Sequence, residues 1–328
     1  MRLKLGLILV LLLVLNGCHQ PLPLSRAPSV WKQAILDDSN RPCRMEAQIQ
    51  FPHSEQLPAL LEVYRPHPDY LVMVERGAET CLIGGKAYYP TTYITAREQI
   101  RWIPLQRRCT IIPRLPNKQG EARLRQLFAH NVRLREVEQA EWQGKRWTVV
   151  EAWVPGGYLH KRYWIASSQP PYVGRVQTYN SEGQLLCDEQ RFRYQVLSGS
   201  VQPPTPAAPP ADWRIERPLQ ILPTEPKLGF KLSRYQPPRG YELIMALKRS
   251  CPCGGQHWAI GSLYSNGLDC FSLFWLPAVC PDAQRADRQL RLRQQPEGIT
   301  ASIRLPDGTA LLLVGELQPQ HAAQMLTD

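Results

Sequence analysis

Tyr264-Ser265-Asn266-Gly267-Leu268 sets an Asn-Gly pair between two apolar runs. Asn and Gly reach the positive backbone angles of a two-residue hairpin turn more readily than other residues, so the stretch reads as two antiparallel strands folded back on each other. Asp307-Gly308 repeats the device between Ile299–Leu305 and Ala310–Leu317. Gln320 to Leu326 then reads as a closing helix with Pro319 in its first turn. Residues 227–328 therefore form a small, mainly antiparallel α+β domain. Upstream lies Pro203-Pro204-Thr205-Pro206-Ala207-Ala208-Pro209-Pro210, which favours extended polyproline conformation and marks a linker over 201–226.

The half before the linker is also strand-rich. A short helix is expected over Ala27–Asp37, where Trp31 and Ile35 share a face. Met45, Ala47, Ile49 and Phe51 alternate as in a half-buried strand, and Leu60–Tyr64 and Tyr70–Val74 read as two more. Gly84-Gly85 turns a tight hairpin between Thr80–Ile83 and Lys86–Tyr89. Gly120–His130 carries Leu124, Leu127 and Phe128 on one helical stripe. From there to Val196 the chain reads as a meander that includes Trp147–Trp153, Lys161–Ile165, Tyr172–Tyr179 and Leu185–Tyr194. Aromatics are dense in this half. Most serve a sheet core, and Tyr88, Trp102, Trp147, Trp153 and Trp164 are the candidates for lining an apolar cavity.

The formal charge is +11, or +9 without Arg2 and Lys4. A basic chain favours anionic partners. No basic-aromatic nucleic-acid motif is present, and phosphorylated glycolipid, anionic membrane and acidic peptide fit better. There is no His-Glu-x-x-His, no Gly-x-Ser-x-Gly elbow and no phosphate-binding loop. The paired carboxylates Asp37-Asp38 and Glu136/Glu138 read as solvated surface. The chain is expected to bind rather than to catalyse, with no catalytic residue and no cofactor.

Residues 1–17 have the build of an export signal, with Arg2 and Lys4 before an apolar run from Leu5 to Leu15, too short to span a bilayer. Leu15-Asn16-Gly17-Cys18 resembles the lipobox of bacterial lipoproteins, which makes Cys18 the expected site of lipid attachment and 18–28 a tether. Removing Cys18 from nine cysteines leaves eight, an even number suited to an oxidising compartment. Cys43, Cys81, Cys109 and Cys187 precede the linker; Cys251, Cys253, Cys270 and Cys280 follow it. Disulfides within each half are expected, with Cys251 and Cys253 seeking Cys270 and Cys280 because their own ring would be strained. Cys251, Cys253 and His257 could instead hold zinc with Cys270 or Cys280, but the Cys-x-Cys spacing favours disulfides over metal. His19 is not the Asp that signals inner-membrane retention, which favours the outer membrane.

Two groups of motifs resemble known families. Ile83-Gly84-Gly85-Lys86-Ala87-Tyr88-Tyr89-Pro90, then Lys161-Arg162-Tyr163-Trp164-Ile165 with Tyr172–Tyr179, Gly183 and Phe192, are similar to the hairpins of LolA/LolB-like proteins. Pro237-Pro238-Arg239-Gly240-Tyr241, Tyr264–Leu268 running into Phe271-Ser272-Leu273-Phe274, and Leu312–Glu316 with His321–Leu326 resemble the C-terminal domain of MucB/RseB proteins. The resemblance implies an unclosed antiparallel β half-barrel with helices over 29–200, joined to the smaller domain. It further implies a periplasmic regulator of an envelope-stress sigma factor, with the periplasmic part of an anti-sigma factor as partner and an acyl chain as ligand. A lipid or lipoprotein carrier without a signalling partner is the alternative. The lipobox and eight further cysteines are additions to that family pattern.

Overall fold

The computed structural model describes residues 29–38, 41–53, 58–77, 80–113, 117–197, 206–221, 235–251, 257–295 and 298–327. Cys18, the expected export signal, the expected tether and Cys253 lie outside them. The first half holds helix α1 (Ser29–Asp38), then β1 (Cys43–Gln50), β2 (Ala59–His67), β3 (Tyr70–Arg76), the hairpin β4 (Cys81–Ile83) and β5 (Lys86–Tyr88), β6 (Thr91–Ile94), β7 (Glu98–Ile103) and β8 (Arg108–Pro113). Helix α2 (Asn117–Asn131) leads into β9 (Arg133–Trp142), β10 (Lys145–Trp153), β11 (Leu159–Ala166), β12 (Tyr172–Tyr179) and β13 (Leu185–Val196). After the linker come β14 (Arg214–Glu216), β15 (Leu219–Ile221), β16 (Glu242–Ser250), β17 (Trp258–Ser265) and β18 (Cys270–Leu276). The chain ends with α3 (Pro281–Arg285), β19 (Arg291–Gln295), β20 (Gly298–Arg304), β21 (Ala310–Gly315) and α4 (Pro319–Thr327).

Among the described residues the first domain is built on a twelve-stranded sheet, ordered β14-β8-β7-β6-β3-β2-β1-β13-β12-β11-β10-β9, with β4 and β5 forming a separate two-stranded ribbon. It is antiparallel except for β14 on β8, and its two ends do not pair, so the barrel stays open as expected. Both helices pack on one face of β10 to β12, where Ala34, Ile35, Phe128 and Val132 meet Val150, Tyr163, Ile165 and Val173. Strand β10 is buried on both sides because its alternate residues, Trp147 and Val149, enter a second cluster with Trp164 and Ala166. The Trp147 ring lies on bare backbone: a Cβ on Gly174 would meet it at 2.1 Å. Bidentate Arg175–Asp188 contacts at 2.8 and 2.7 Å tie β12 to β13.

The second domain is a seven-stranded sheet, β15-β16-β17-β18-β21-β20-β19. Both predicted glycine hairpins are present, β17–β18 around Gly267 and β20–β21 around Gly308. Helix α4 covers one face with Ala322, Met325 and Leu326 against Tyr264, Phe271, Leu311 and Leu313.

The linker divides itself between the domains. Trp213, 4% exposed, packs with Trp102, Ile100 and Cys109 of the first sheet, and β14 follows it onto the edge of β8. Three residues later β15 pairs with β16 of the second sheet. Residues 213–221 of the expected linker are thus structural, because the buried Trp213 anchors them to the first sheet and β14 and β15 find backbone partners on an edge of each sheet.

Candidate functional site: a roofed cavity and the domain joint

Register places Tyr64, Tyr70, Val72, Val74 and Tyr93 of β2, β3 and β6 on one face of the first sheet. They line a cavity of about 740 Å³ whose rim carries Arg44, Glu46 and Glu62. The same face continues across β6 and β7 into a second cavity of about 410 Å³, lined by Tyr88, Tyr89, Tyr93 and Trp102. Val74 and Tyr93 belong to both. Ala207 lies over both cavities, and Ala208 and Pro210 over the second, so the linker is their roof. The volumes fall in the range of small-molecule sites, roughly 300–1,000 Å³. Tyr70 Oη and Trp102 Nε1 are buried here without a hydrogen-bond partner among the described residues. The aromatic and Val floor, with one such donor in each cavity and charged side chains (Arg44, Glu46 and Glu62 in the first, Arg76 and Lys86 in the second) around it, fits a ligand with an apolar body and a polar end.

Two of the five expected cavity residues, Tyr88 and Trp102, line these spaces. The other three are placed elsewhere. Trp147 and Trp164 fill the core over Gly174, and Trp153 is held by its Nε1–H donating to Glu151 Oε2 at 3.1 Å. The sheet is built tight there because both of its faces are already covered.

The second feature is the joint between the domains. The tip of β17–β18 enters the first domain at the C-terminal end of α2. Gly267 lies against the helix backbone, and Leu268 packs into the α1–α2 core. The tip is shaped by its own side chains. Asn266 Oδ1 accepts the N–H groups of Leu268 and Asp269, both at 2.8 Å, and Ser265 Oγ donates to Asp269 O at 2.7 Å. Asn131, the last residue of α2, donates to Gly240 O at 2.8 Å and Asn266 O at 3.2 Å.

Behind the tip four ionisable side chains meet. Asp269 Oδ1 lies 2.8 Å from His160 Nε2 and 3.2 Å from Lys161 Nζ, and Lys161 reaches Glu316 at 3.4 Å. His160 Nδ1 lies 3.0 Å from the Tyr179 carbonyl oxygen, so both ring nitrogens face acceptor oxygens. Asp269 is 1% exposed at its side chain. Burial alone would raise its carboxyl, but the two cations and their hydrogen bonds hold it down at about 2. Glu316 moves the other way: burial and the charge of Asp269 raise it despite Lys161. Asp269 thus holds the joint's firm negative charge. A cavity of about 180 Å³ opens beside the cluster, lined by Ile49, Phe51, Leu186 and Leu317 with His160 and Gln318.

The cysteines divide by position. Cys43 and Cys187 stand at opposite ends of the β1–β13 ladder, more than 20 Å apart at about 3.3 Å per residue, which rules out that pairing within the first half. Cys81 and Cys109 belong to the region around Tyr88. Cys251 and Cys280 are neighbours, whereas Cys270 stands at the far end of β18.

No protein-family model matches the sequence, and no curated protein matches it. Solved structures do match. The complex structure of Pseudomonas aeruginosa MucA/MucB is similar over 91% of this chain and 96% of the matched chain, at 16% identity and a TM-score of 0.57. The chain has the fold of MucB. A second structure, MucB in complex with MucA(peri), matches over 91% and 96% at 15% identity and a TM-score of 0.56. MucB alone matches over 91% and 95% at 14% identity and a TM-score of 0.55. At 91% of this chain, the likeness to MucB extends over both sheets.

Proposed function

We propose that this chain is a lipid-anchored, periplasm-facing regulator or sensor, which binds the periplasmic segment of an anti-sigma-factor-like membrane protein and an acylated ligand. The observation that carries the reading is the linker roof. A ligand beneath Ala207 would contact the chain that leads, within fourteen residues, to β14 and β15 on the two sheets. Occupancy of the cavity is thereby coupled to the domain joint, provided that ligand and partner bind the two arrangements with different affinity. The MucB structures bound to MucA and MucA(peri) support the choice of partner. The two orphaned donors support an amphiphilic ligand. Lipid or lipoprotein carriage without a partner uses the same cavity and is the second reading.

Affinity capture from solubilised envelope should recover a membrane-spanning protein with an anti-sigma-like cytoplasmic part; recovery of none would sink the regulator reading. Mass spectrometry of lipid extracted from the purified chain should find acyl ligand. Val72→Arg, which places a long cation in the cavity, should weaken binding of a lysophospholipid probe at least tenfold, about 1.4 kcal/mol. Unchanged affinity would remove the cavity from both readings. Cys18→Ala should move the protein from the membrane fraction to the soluble periplasm, and continued membrane association would show that Cys18 is not the anchor.

A further inference from the structure

Strands β16 and β17 are joined by a short loop that Cys251 and His257 close, the Cys251 N–H donating to His257 O at 3.0 Å. Cys280 comes from a separate part of the chain, the turn between β18 and α3. Its N–H donates to Pro277 O at 2.8 Å, and its carbonyl accepts the Gln284 N–H at 3.0 Å. The fold brings these three side chains together. Cys251 Sγ and Cys280 Sγ lie 3.1 Å apart, and with a ring nitrogen of His257 the three ligand atoms all fall within 4.8 Å of one another. Both sulfurs are buried, at 1% and 0% residue exposure, among Ala259, Leu276, Ala283 and Ala310. His257 sits at the solvent side.

We infer that Cys251, His257 and Cys280 bind a zinc ion. Two thiols and an imidazole are the donor set that zinc selects over harder cations. A disulfide between the two sulfurs is the competing covalent outcome, and the third donor atom within 4.8 Å of both is the observation that favours a metal. Three donors leave one tetrahedral position for a further ligand. The ion would bind as thiols lose their protons: each Cys–SH exchanges its S–H bond for a metal–sulfur bond and releases H⁺ to solvent, with no oxidant or reductant. Bound there, zinc would fasten the base of the β16–β17 hairpin to α3, on the opposite end of β17–β18 from the tip that docks into the first domain. The site would therefore stabilise the second domain without touching the joint, and it does not depend on the function proposed above.

The test uses the full chain exported to the periplasm and purified without chelator. Inductively coupled plasma mass spectrometry should find one zinc per chain. Cobalt exchanged for it should show thiolate-to-cobalt charge transfer in the near ultraviolet together with the visible bands of tetrahedral cobalt. His257→Ala leaves both sulfurs in place and should still lower metal affinity at least tenfold. Cys280→Ser should lower it further and remove part of the charge-transfer intensity. Alkylation under denaturing conditions without reductant, followed by peptide mapping, should label Cys251 and Cys280 as thiols. A Cys251–Cys280 disulfide in the exported protein would overturn the proposal. So would zinc content or cobalt spectra unchanged in His257→Ala and Cys280→Ser. If the variants fail to fold, cobalt titration of the native chain decides alone: tetrahedral thiolate bands support the site and their absence rejects it.

Discussion

Gly267→Val should pull the two domains apart while leaving each folded. A Cβ at Gly267 would stand 2.2 Å from the Phe128 backbone nitrogen and 2.7 Å from both Leu124 O and Phe128 Cα. These are backbone atoms in the C-terminal half of α2, so no rotamer change relieves the contact. The hairpin tip must back out, which breaks the bond from Asn131 to Asn266 O and draws Leu268 out of the helical core. Gly267 also holds φ +92°, a conformation that a branched side chain adds about 1–2 kcal/mol to adopt. Gly308 is the matched control. It turns the other hairpin at φ +85°, but a Cβ there meets only the Ala278 side chain at 3.2 Å. Gly308→Val should therefore lower the melting temperature of the second domain alone. Gly267→Val should split one calorimetric transition into two and enlarge the radius of gyration in solution scattering. A single transition at the native radius would show that the tip does not hold the domains together.

Asp269→Ala should weaken the same joint by about 3–5 kcal/mol, the usual cost of stripping one partner from a buried ion pair. The loss leaves His160 and Lys161 buried with Glu316 as their remaining acid. Adding Lys161→Met should restore part of the loss, because it removes a charge that no longer has its closest partner. Equal losses in the single and double variants would mean that the pair is not coupled. The acid response carries the same signature. In the folded chain Asp269 is lowered from 3.8 to about 2, so its contribution is complete above about pH 4 and fades as the pH falls toward 2. Glu316 is raised, so its burial penalty is present at neutral pH and is relieved as the pH drops through its folded value. The joint should thus hold or tighten slightly in mild acid and open only below about pH 4. Asp269→Asn should lose that acid-dependent step, read by tyrosine and tryptophan fluorescence during acid titration.

Local chemistry was easy to read from the sequence, and its destination was not. Asn266-Gly267 announces a hairpin because turn geometry depends on two adjacent residues. Nothing within that stretch says that its tip will meet Phe128, 139 positions earlier in the chain. Helix α2 was legible from Leu124, Leu127 and Phe128, and it runs somewhat longer at both ends than its apolar stripe. The strand at Tyr70–Val74 was legible too, but a period-two pattern does not tell which face will be left uncovered. Tyr64, Tyr70 and Val72 consequently went unmarked as cavity residues, whereas the more conspicuous tryptophans at 147 and 164 were needed for core. Two signals were available for the joint. One is an Asp placed directly after a hairpin turn, at the start of an apolar strand. The other is a His-Lys pair in the middle of the first-domain meander. Each calls for an opposite charge from elsewhere in the chain, and they supply it to each other.

The three residues of β14 carry a further consequence. Strand β8 would otherwise end the large sheet with Cys109-Thr110-Ile111-Ile112, an apolar row of open backbone groups that another copy could pair with. β14, reaching back from beyond the proline run, pairs with Arg108, Cys109 and Thr110 at the start of that row and is too short to be an inviting template itself. The opposite edge, β9, is protected by composition, with Arg133, Arg135, Glu136, Glu138 and Glu141 along ten residues. One border is guarded by charge and the other by a borrowed strand. A first-domain fragment cut at the proline run would give up the borrowed one, and clean solution behaviour for such a fragment requires the chain to continue through Glu216.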